Sequence, residues 1–317
     1  MQRLIIKIDR LYPLQPIINN SIYNMNFHKH QLSRLVYAMG LLLITVAAGC
    51  RVIGVTRTST RGYQEERLGW KLGTQAFTFN RFSFMEAAAK TDSCKLSYIE
   101  AFPGQEIGGG IPGKMDYRME PAKRVLILGQ LKKYHVKMAA FGVIGADNKA
   151  DWIKIFEFGK AMGLETITAE PEEKDMQLLS DLCEQYKINV AIHNHAKPSR
   201  YWNPDIILNA IKGKSKRLGL CADLGHWVHS GLDPFDCIKK AEGHVLHLHM
   251  KDMNGKDENA HDVHWGTGAT NVDAIVKELK RQKFKGIISA EYEYNWDNNT
   301  ADVAKSVAYF RESVQKP

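Results

Sequence analysis

From Leu72 onward the chain alternates short apolar runs with longer amphipathic stretches. The apolar runs are Leu72–Phe79, Leu96–Phe102, Val136–Ile144, Thr166–Glu170, Ile188–His195, Leu218–Leu224, Val245–Met250 and Gly286–Tyr292. Between and after them, Phe82–Lys90, Glu120–Tyr134, Asp147–Met162, Asp175–Tyr186, Pro204–Lys212, Pro234–Ala241, Val272–Gln282 and Thr300–Val314 carry helical spacing. Short apolar runs alternating with helices imply βαβ units and a parallel sheet. Eight such units in about 245 residues predict an α/β protein of the (β/α)8 TIM-barrel class. The competing open, doubly wound sheet would place a Gly-rich phosphate turn after the first strand, and none is present. Gly108-Gly109-Gly110 has no helical pattern behind it and reads as a flexible loop near the barrel mouth.

Strand parity assigns the faces, because successive side chains point to opposite sides. In the seventh strand Leu246, Leu248 and Met250 go to the helices, so His247, His249 and Lys251 go to the axis. The fifth strand sends Ile188, Val190 and Ile192 out and His193 and His195 in. The sixth sends Leu220, Ala222 and Leu224 out and Gly219, Cys221 and Asp223 in. The eighth sends Ile288 and Ala290 out and Ser289, Glu291 and Glu293 in. In the fourth, Glu170 lies opposite Ile167 and Ala169. Five strands thus aim polar ends at one axis, at the barrel face where active sites sit.

One inward carboxylate is ordinarily a hydrogen-bonded structural group. Several converging in a dry space repel one another, and a divalent cation relieves this. Glu170, His193, His195, Asp223, His249 and Glu291 are therefore the expected metal ligands. Carboxylates with imidazoles suit one ion of Mn, Zn, Co, Mg or Fe without selecting among them. Histidine near neutral pH, and lysine with a lowered pKa, can act as general bases, which makes His195 and Lys251 candidates for proton transfer. Around them, Glu100, Lys197 and Trp227 are read as substrate contacts. Trp202 and Trp265 also follow strand ends, where stacking on a sugar and plain packing are equal readings. Asp252 and His264 read as loop polar groups, and Asp147-Asn148-Lys149 and Asp175 as helix starts.

Composition narrows the class. The 317 residues are 44% hydrophobic and 25% charged, ordinary for a globular protein. Half of the net charge of +8 comes from residues 1–49, where five basic residues face Asp9 alone. The remainder is too mild and scattered to suggest nucleic acid. His28-Lys29-His30-Gln31-Leu32-Ser33-Arg34, then apolar Leu35 to Ala48, then Ala47-Ala48-Gly49-Cys50, is the layout of a secretory leader. The apolar run is short for a membrane span. The cysteine after Ala-Ala-Gly resembles a bacterial lipobox, which implies an exported, periplasmic protein held to the membrane through lipidated Cys50. Met25 opens a leader of more usual length. The expected organisation is leader 1–49, tether 50–69 and barrel 70–317. Cys94, Cys183, Cys221 and Cys237 match no zinc spacing, and export permits disulfides without specifying a pairing. Cys221 reads as a small core residue.

His247-Leu248-His249-Met250-Lys251-Asp252, Asp223-Leu224-Gly225-His226 and Gly286-Ile287-Ile288-Ser289-Ala290-Glu291-Tyr292 resemble the sugar phosphate isomerase/epimerase family. That family belongs to the xylose-isomerase-like barrel superfamily, with ketose 3-epimerases, inosose dehydratases and apurinic endonucleases of the endonuclease-IV type. The resemblance covers about residues 70–315. It implies a metal held at the ends of strands five to eight, with Asp223, His249 and Glu291 in the last three places. The first place departs: the expected Glu is His193. Either His193 or His195 then ligates, with Glu170 restoring a carboxylate. The resemblance implies a proton-transfer pair of glutamates on strands five and eight; the departure leaves Glu291 alone of that pair, so Glu170, a strand-five histidine or Lys251 must serve as base. The His-Asn-His ending resembles the inosose-dehydratase-like branch. His226 matches a position that contacts a substrate oxygen in the family. The expected function is a metal-dependent isomerase, epimerase or lyase acting on a sugar, keto-sugar or cyclitol by proton abstraction next to a carbonyl. The alternative is a non-catalytic carbohydrate-binding lipoprotein on the same barrel. An apurinic-endonuclease activity would need histidines that the second and third strands lack.

Overall fold

The computed structural model describes residues 61–317. The expected leader and Cys50 lie outside them. Eight parallel strands follow the eight apolar runs: β1 Trp70–Gln75, β2 Tyr98–Ala101, β3 Lys137–Ile144, β4 Thr166–Ala169, β5 Asn189–His193, β6 Leu218–Asp223, β7 Val245–Met250 and β8 Gly286–Ala290. Each pairs with its sequence neighbours and β1 closes on β8, so the sheet is a barrel. The expected (β/α)8 fold is the observed one.

The expected helices form within a few residues of their boundaries: Phe84–Ser93, Pro121–Lys133, Lys149–Met162, Met176–Tyr186, Pro204–Ala210, Pro234–Lys240, Val272–Arg281 and Thr300–Gln315. Local chemistry sets their starts. Ser83 and Glu86 form a reciprocal capping box, and Asn148 accepts from the Asp151 amide. Asp175 does not cap; its carboxylate takes the Trp152 indole N–H at 3.2 Å. Outward strand residues such as Leu220, Leu248 and Ile288 are fully buried against this helical ring, which holds the main core.

Four local expectations are corrected. β1 stops at Gln75, and Ala76–Phe79 is a 3-10 turn because the Gln75 side chain accepts the Phe77 amide and caps it. An extra helix, Leu224–His229, starts directly after β6 with Asp223 as its cap. Gly108–Gly110 is the turn of a hairpin between Glu106–Gly108 and Ile111–Lys114. All three glycines have positive φ there, which suits residues without a Cβ. Finally, the end of the expected tether lies on the barrel. Gln64–Arg67 is helical, and buried Glu65 accepts from Arg311 at 2.8 Å. The cysteines at 94, 183, 221 and 237 are all free and buried.

Candidate metal centre and pocket

Register brings the polar strand ends to one level. Asp223 on β6 pairs with His249 on β7, and His249 with Ser289 on β8. Glu291 follows just beyond the end of β8, and His193 closes β5. One atom from each of His193, Asp223, His249 and Glu291 lies within 4.8 Å of the others. His193 Nε2 is 3.6 Å from Asp223 Oδ2, His249 Nδ1 is 3.7 Å from the same oxygen, and His249 Nδ1 is 3.1 Å from Glu291 Oε2. Asp223 is held rigidly: its backbone N–H donates to Asn194 Oδ1 at 2.8 Å, and its carbonyl accepts from Asn194 Nδ2 at 2.9 Å. Its Oδ1 takes the His226 amide at 2.8 Å, which leaves Oδ2 facing the cluster.

These residues fit a divalent ion. His249 Nδ1 is buried and makes no hydrogen bond, and Asp223 Oδ2 makes none either and has only the ion pair with Lys251 Nζ at 3.3 Å; such buried groups are costly unless a further partner is present. Two imidazole nitrogens and two carboxylate oxygens converging there form an N/O ligand set of the kind transition-metal sites use.

Lys251 completes the charge balance. Its Nζ is 3.3 Å from Asp223 Oδ2 and 3.1 Å from Glu291 Oε2, and it also pairs with Glu293. Burial alone would raise both carboxylates, but Lys251 together with the neighbouring histidines outweighs it. Asp223 is held well below its ordinary range and Glu291 is lowered to about 2. Burial would lower Lys251, yet the same carboxylates raise it well above its usual value. Lys251 thus sits in the site as the counter-ion of Asp223, Glu291 and Glu293.

Glu170 links two histidines. Its Oε1 lies 3.1 Å from His193 Nδ1 and also bonds His195 Nδ1. Burial would raise Glu170, but the bonds from His193 and His195 lower it to about 2. Its position beside His193 Nδ1 turns His193 Nε2 toward the cluster. Glu170, His193 and His195 also form a second group with metal-ligand spacing. Above the cluster opens a cavity of about 430 Å³ lined by His193, His195, His226, Glu291 and Glu293, with Gln75, Phe77 and Phe102 on the far wall. Burial pushes the His226 imidazole down to about 3, so it is neutral in this wall.

Other expected contacts lie elsewhere. Trp227 is fully buried in the core. Lys197 stacks over Trp202 at 4.0 Å and lines an adjoining surface cleft with His229 and Ser230. Trp265 packs on Phe310. Asp252 accepts the amides of Gly266, Gly268 and Thr270 and shapes its loop. Glu100 is 1% exposed and lies beneath the cluster, hydrogen-bonded to Thr168, His249 and Ser289, with His247 Nε2 2.9 Å away and bonded to Ser289. Sequence reasoning missed Gln75, Phe77 and Asn194. Gln75 follows Gly73 on the inward parity of β1, but Phe77 is reached only through the 3-10 turn.

A closed eight-strand barrel with imidazoles and carboxylates gathered at its C-terminal strand ends defines a class of proteins with a rim-borne polar site. The family described as xylose isomerase-like TIM barrel matches residues 146–313. This chain belongs to that family. A putative uncharacterized protein from Parabacteroides distasonis is 34% identical over 77% of this chain and 99% of its own, with a TM-score of 0.64. A D-tagatose 3-epimerase-like protein shares 17% identity over 77% and 97% of the two chains, with a TM-score of 0.60. The IOLI protein, solved with a bound zinc atom, shares 17% over 77% and 98%, with a TM-score of 0.60. The structural neighbours include sugar phosphate isomerases/epimerases. No curated protein matches.

Proposed function

We propose that this protein is a divalent-metal-dependent enzyme that acts on a sugar, keto-sugar or cyclitol by removing a proton next to a carbonyl, as an isomerase, epimerase or lyase. The observation that carries the reading is the convergence of His193 Nε2, Asp223 Oδ2, His249 Nδ1 and Glu291 Oε2, two of them buried without a hydrogen bond, at the floor of an open cavity. An ion held by these four would supply Lewis acidity, polarising a substrate oxygen and acidifying the neighbouring C–H. His195 is the base. Glu170 accepts its Nδ1–H, so the Nε2 lone pair is free for the proton. His195 is 47% exposed and lines the cavity, which lets it reach a bound substrate. His226, neutral in the same wall, offers a hydrogen bond to a substrate hydroxyl. Phe77 and Phe102 give an apolar face on which a sugar ring can lie.

The test is ion analysis of the purified protein, then incubation with a panel of sugars and 3-keto-sugars in heavy water. Deuterium entering at one carbon of one substrate supports the reading. An ion-free protein that exchanges nothing in the panel overturns it. Retained sugar affinity without an ion would favour the carbohydrate-binding alternative. Export and anchoring through a lipidated Cys50 belong to the proposal as well and rest on the leader sequence.

A further inference from the structure

Beneath the four-residue cluster lies a second buried polar layer that the proposed chemistry does not use. Glu100 ends inside the barrel, beside Gln75 of β1. Its Oε1 accepts the Thr168 hydroxyl. Its Oε2 is 2.9 Å from His249 Nε2, 2.9 Å from His247 Nε2 and 3.1 Å from Ser289 Oγ. His249 Nε2 and the Ser289 hydroxyl donate to Oε2 and the Thr168 hydroxyl donates to Oε1, while His247 Nε2 bonds Ser289 Oγ at 2.9 Å; with these three donors and its burial, the carboxylate presents no face to a sugar hydroxyl. Its acceptor-only character then dictates the proton on the facing ring. His249 must carry hydrogen on Nε2, and its lone pair falls on Nδ1. Nδ1 is the atom that faces Asp223 and Glu291 without a hydrogen bond.

We propose that Glu100 is a positioning residue for the metal centre: from below, it fixes the tautomer and ring orientation of His249 so that Nδ1 is presented as a ligand. The role rests on the proposed metal site and deepens it. A carboxylate behind a ligating imidazole also raises its basicity, and loss of such a partner typically costs 10–100-fold in ion affinity.

The test uses Zn2+ alone as the probe, titrated calorimetrically into the full-length metal-free protein. Glu100→Met keeps the length and removes both acceptors, and its zinc affinity is expected to fall about 10–100-fold with the circular dichroism unchanged. Glu100→Gln keeps an oxygen at the Oε2 position while Thr168 turns its hydroxyl to accept from the amide, and it is expected to retain most of the affinity. The 15N spectrum of zinc-loaded wild-type protein should show His249 protonated at Nε2 and bound through Nδ1. Wild-type affinity in Glu100→Met, an equal loss in Glu100→Gln, or zinc on Nε2 would overturn the role. If Glu100→Met does not fold, the wild-type spectrum decides. Wild-type protein that binds no zinc overturns the metal site itself, whereas wild-type binding with an unaffected Glu100→Met overturns this inference alone.

Discussion

Asp223 and His249 carry different loads, although each offers one atom to the centre. The Asp223 side chain is dispensable for its own placement, because Asn194 grips its backbone on both sides. Asp223→Ala should therefore fold, losing about 1 kcal/mol from the uncapped Leu224–His229 helix. Asp223→Ala and His249→Ala should each be purified without the ion and show no proton exchange; full metal occupancy in both would refute the ligand assignment. His195→Gln separates the two functions. It should keep the ion and slow proton exchange by about 10²–10⁴-fold. If it instead strips the metal, the ion belongs with Glu170, His193 and His195. At this scale the sequence was only partly legible. Parity placed Asp223, His249 and Glu291 on one axis, but a strand-end carboxylate carries no mark of its depth. Glu100 and Glu291 looked alike, and only packing puts one under the cluster and the other in the cavity wall. The three carboxylate partners of Lys251 come from β6 and from residues beyond β8, and no local pattern announces them.

The elements were legible where periodicity is long and clean. Every expected barrel strand and helix is present because hydrophobic spacing and caps such as Ser83 and Asn148 act locally. Short mouth segments were not. Phe77-Thr78-Phe79 alternates apolar and polar like a strand, and the 3-10 turn Ala76–Phe79 depends on a side-chain cap from Gln75. The helix Leu224–His229 hides Trp227 on its buried side, so a tryptophan after a strand end became core. The two-residue strand Asp262–Val263 pairs with Asp252–Met253 beyond β7 and brings its own prediction. Burial raises Asp262 from 3.8 to about 7, with Lys251 opposing, while Oδ2 accepts the Glu293 amide at 3.0 Å. The folded chain holds this proton more tightly than the unfolded one. Asp262 therefore costs nothing below about pH 4, costs progressively more as pH rises toward 7, and its cost is constant above that. Asp262→Asn keeps an acceptor for the amide and removes the charge. Its melting temperature relative to wild type should be higher at pH 8 than at pH 5. An equal difference at the two pH values would contradict the assignment.

At the scale of the whole molecule, the barrel begins before its first strand. Glu65, Arg311 and the Tyr63 ring under Arg311 fasten residues 63–67 to the last helix. For Cys50 a separate outcome is expected: Cys50→Ser should move the protein from the membrane to the soluble fraction of a bacterial host, and an unchanged distribution would refute lipid anchoring.

The ammonium of Lys251 among Asp223, Glu291 and Glu293 has a practical corollary. Emptying the site exposes no bare pair of anions, because an internal counterion already stands beside them. A chelator should leave an intact, dormant protein whose melting temperature drops only by the linkage expected of a lost ligand. The same sample should then regain proton exchange on adding back Mn, Zn, Co, Mg or Fe one at a time. Collapse or aggregation on chelation would show that Lys251 does not shield the vacated carboxylates.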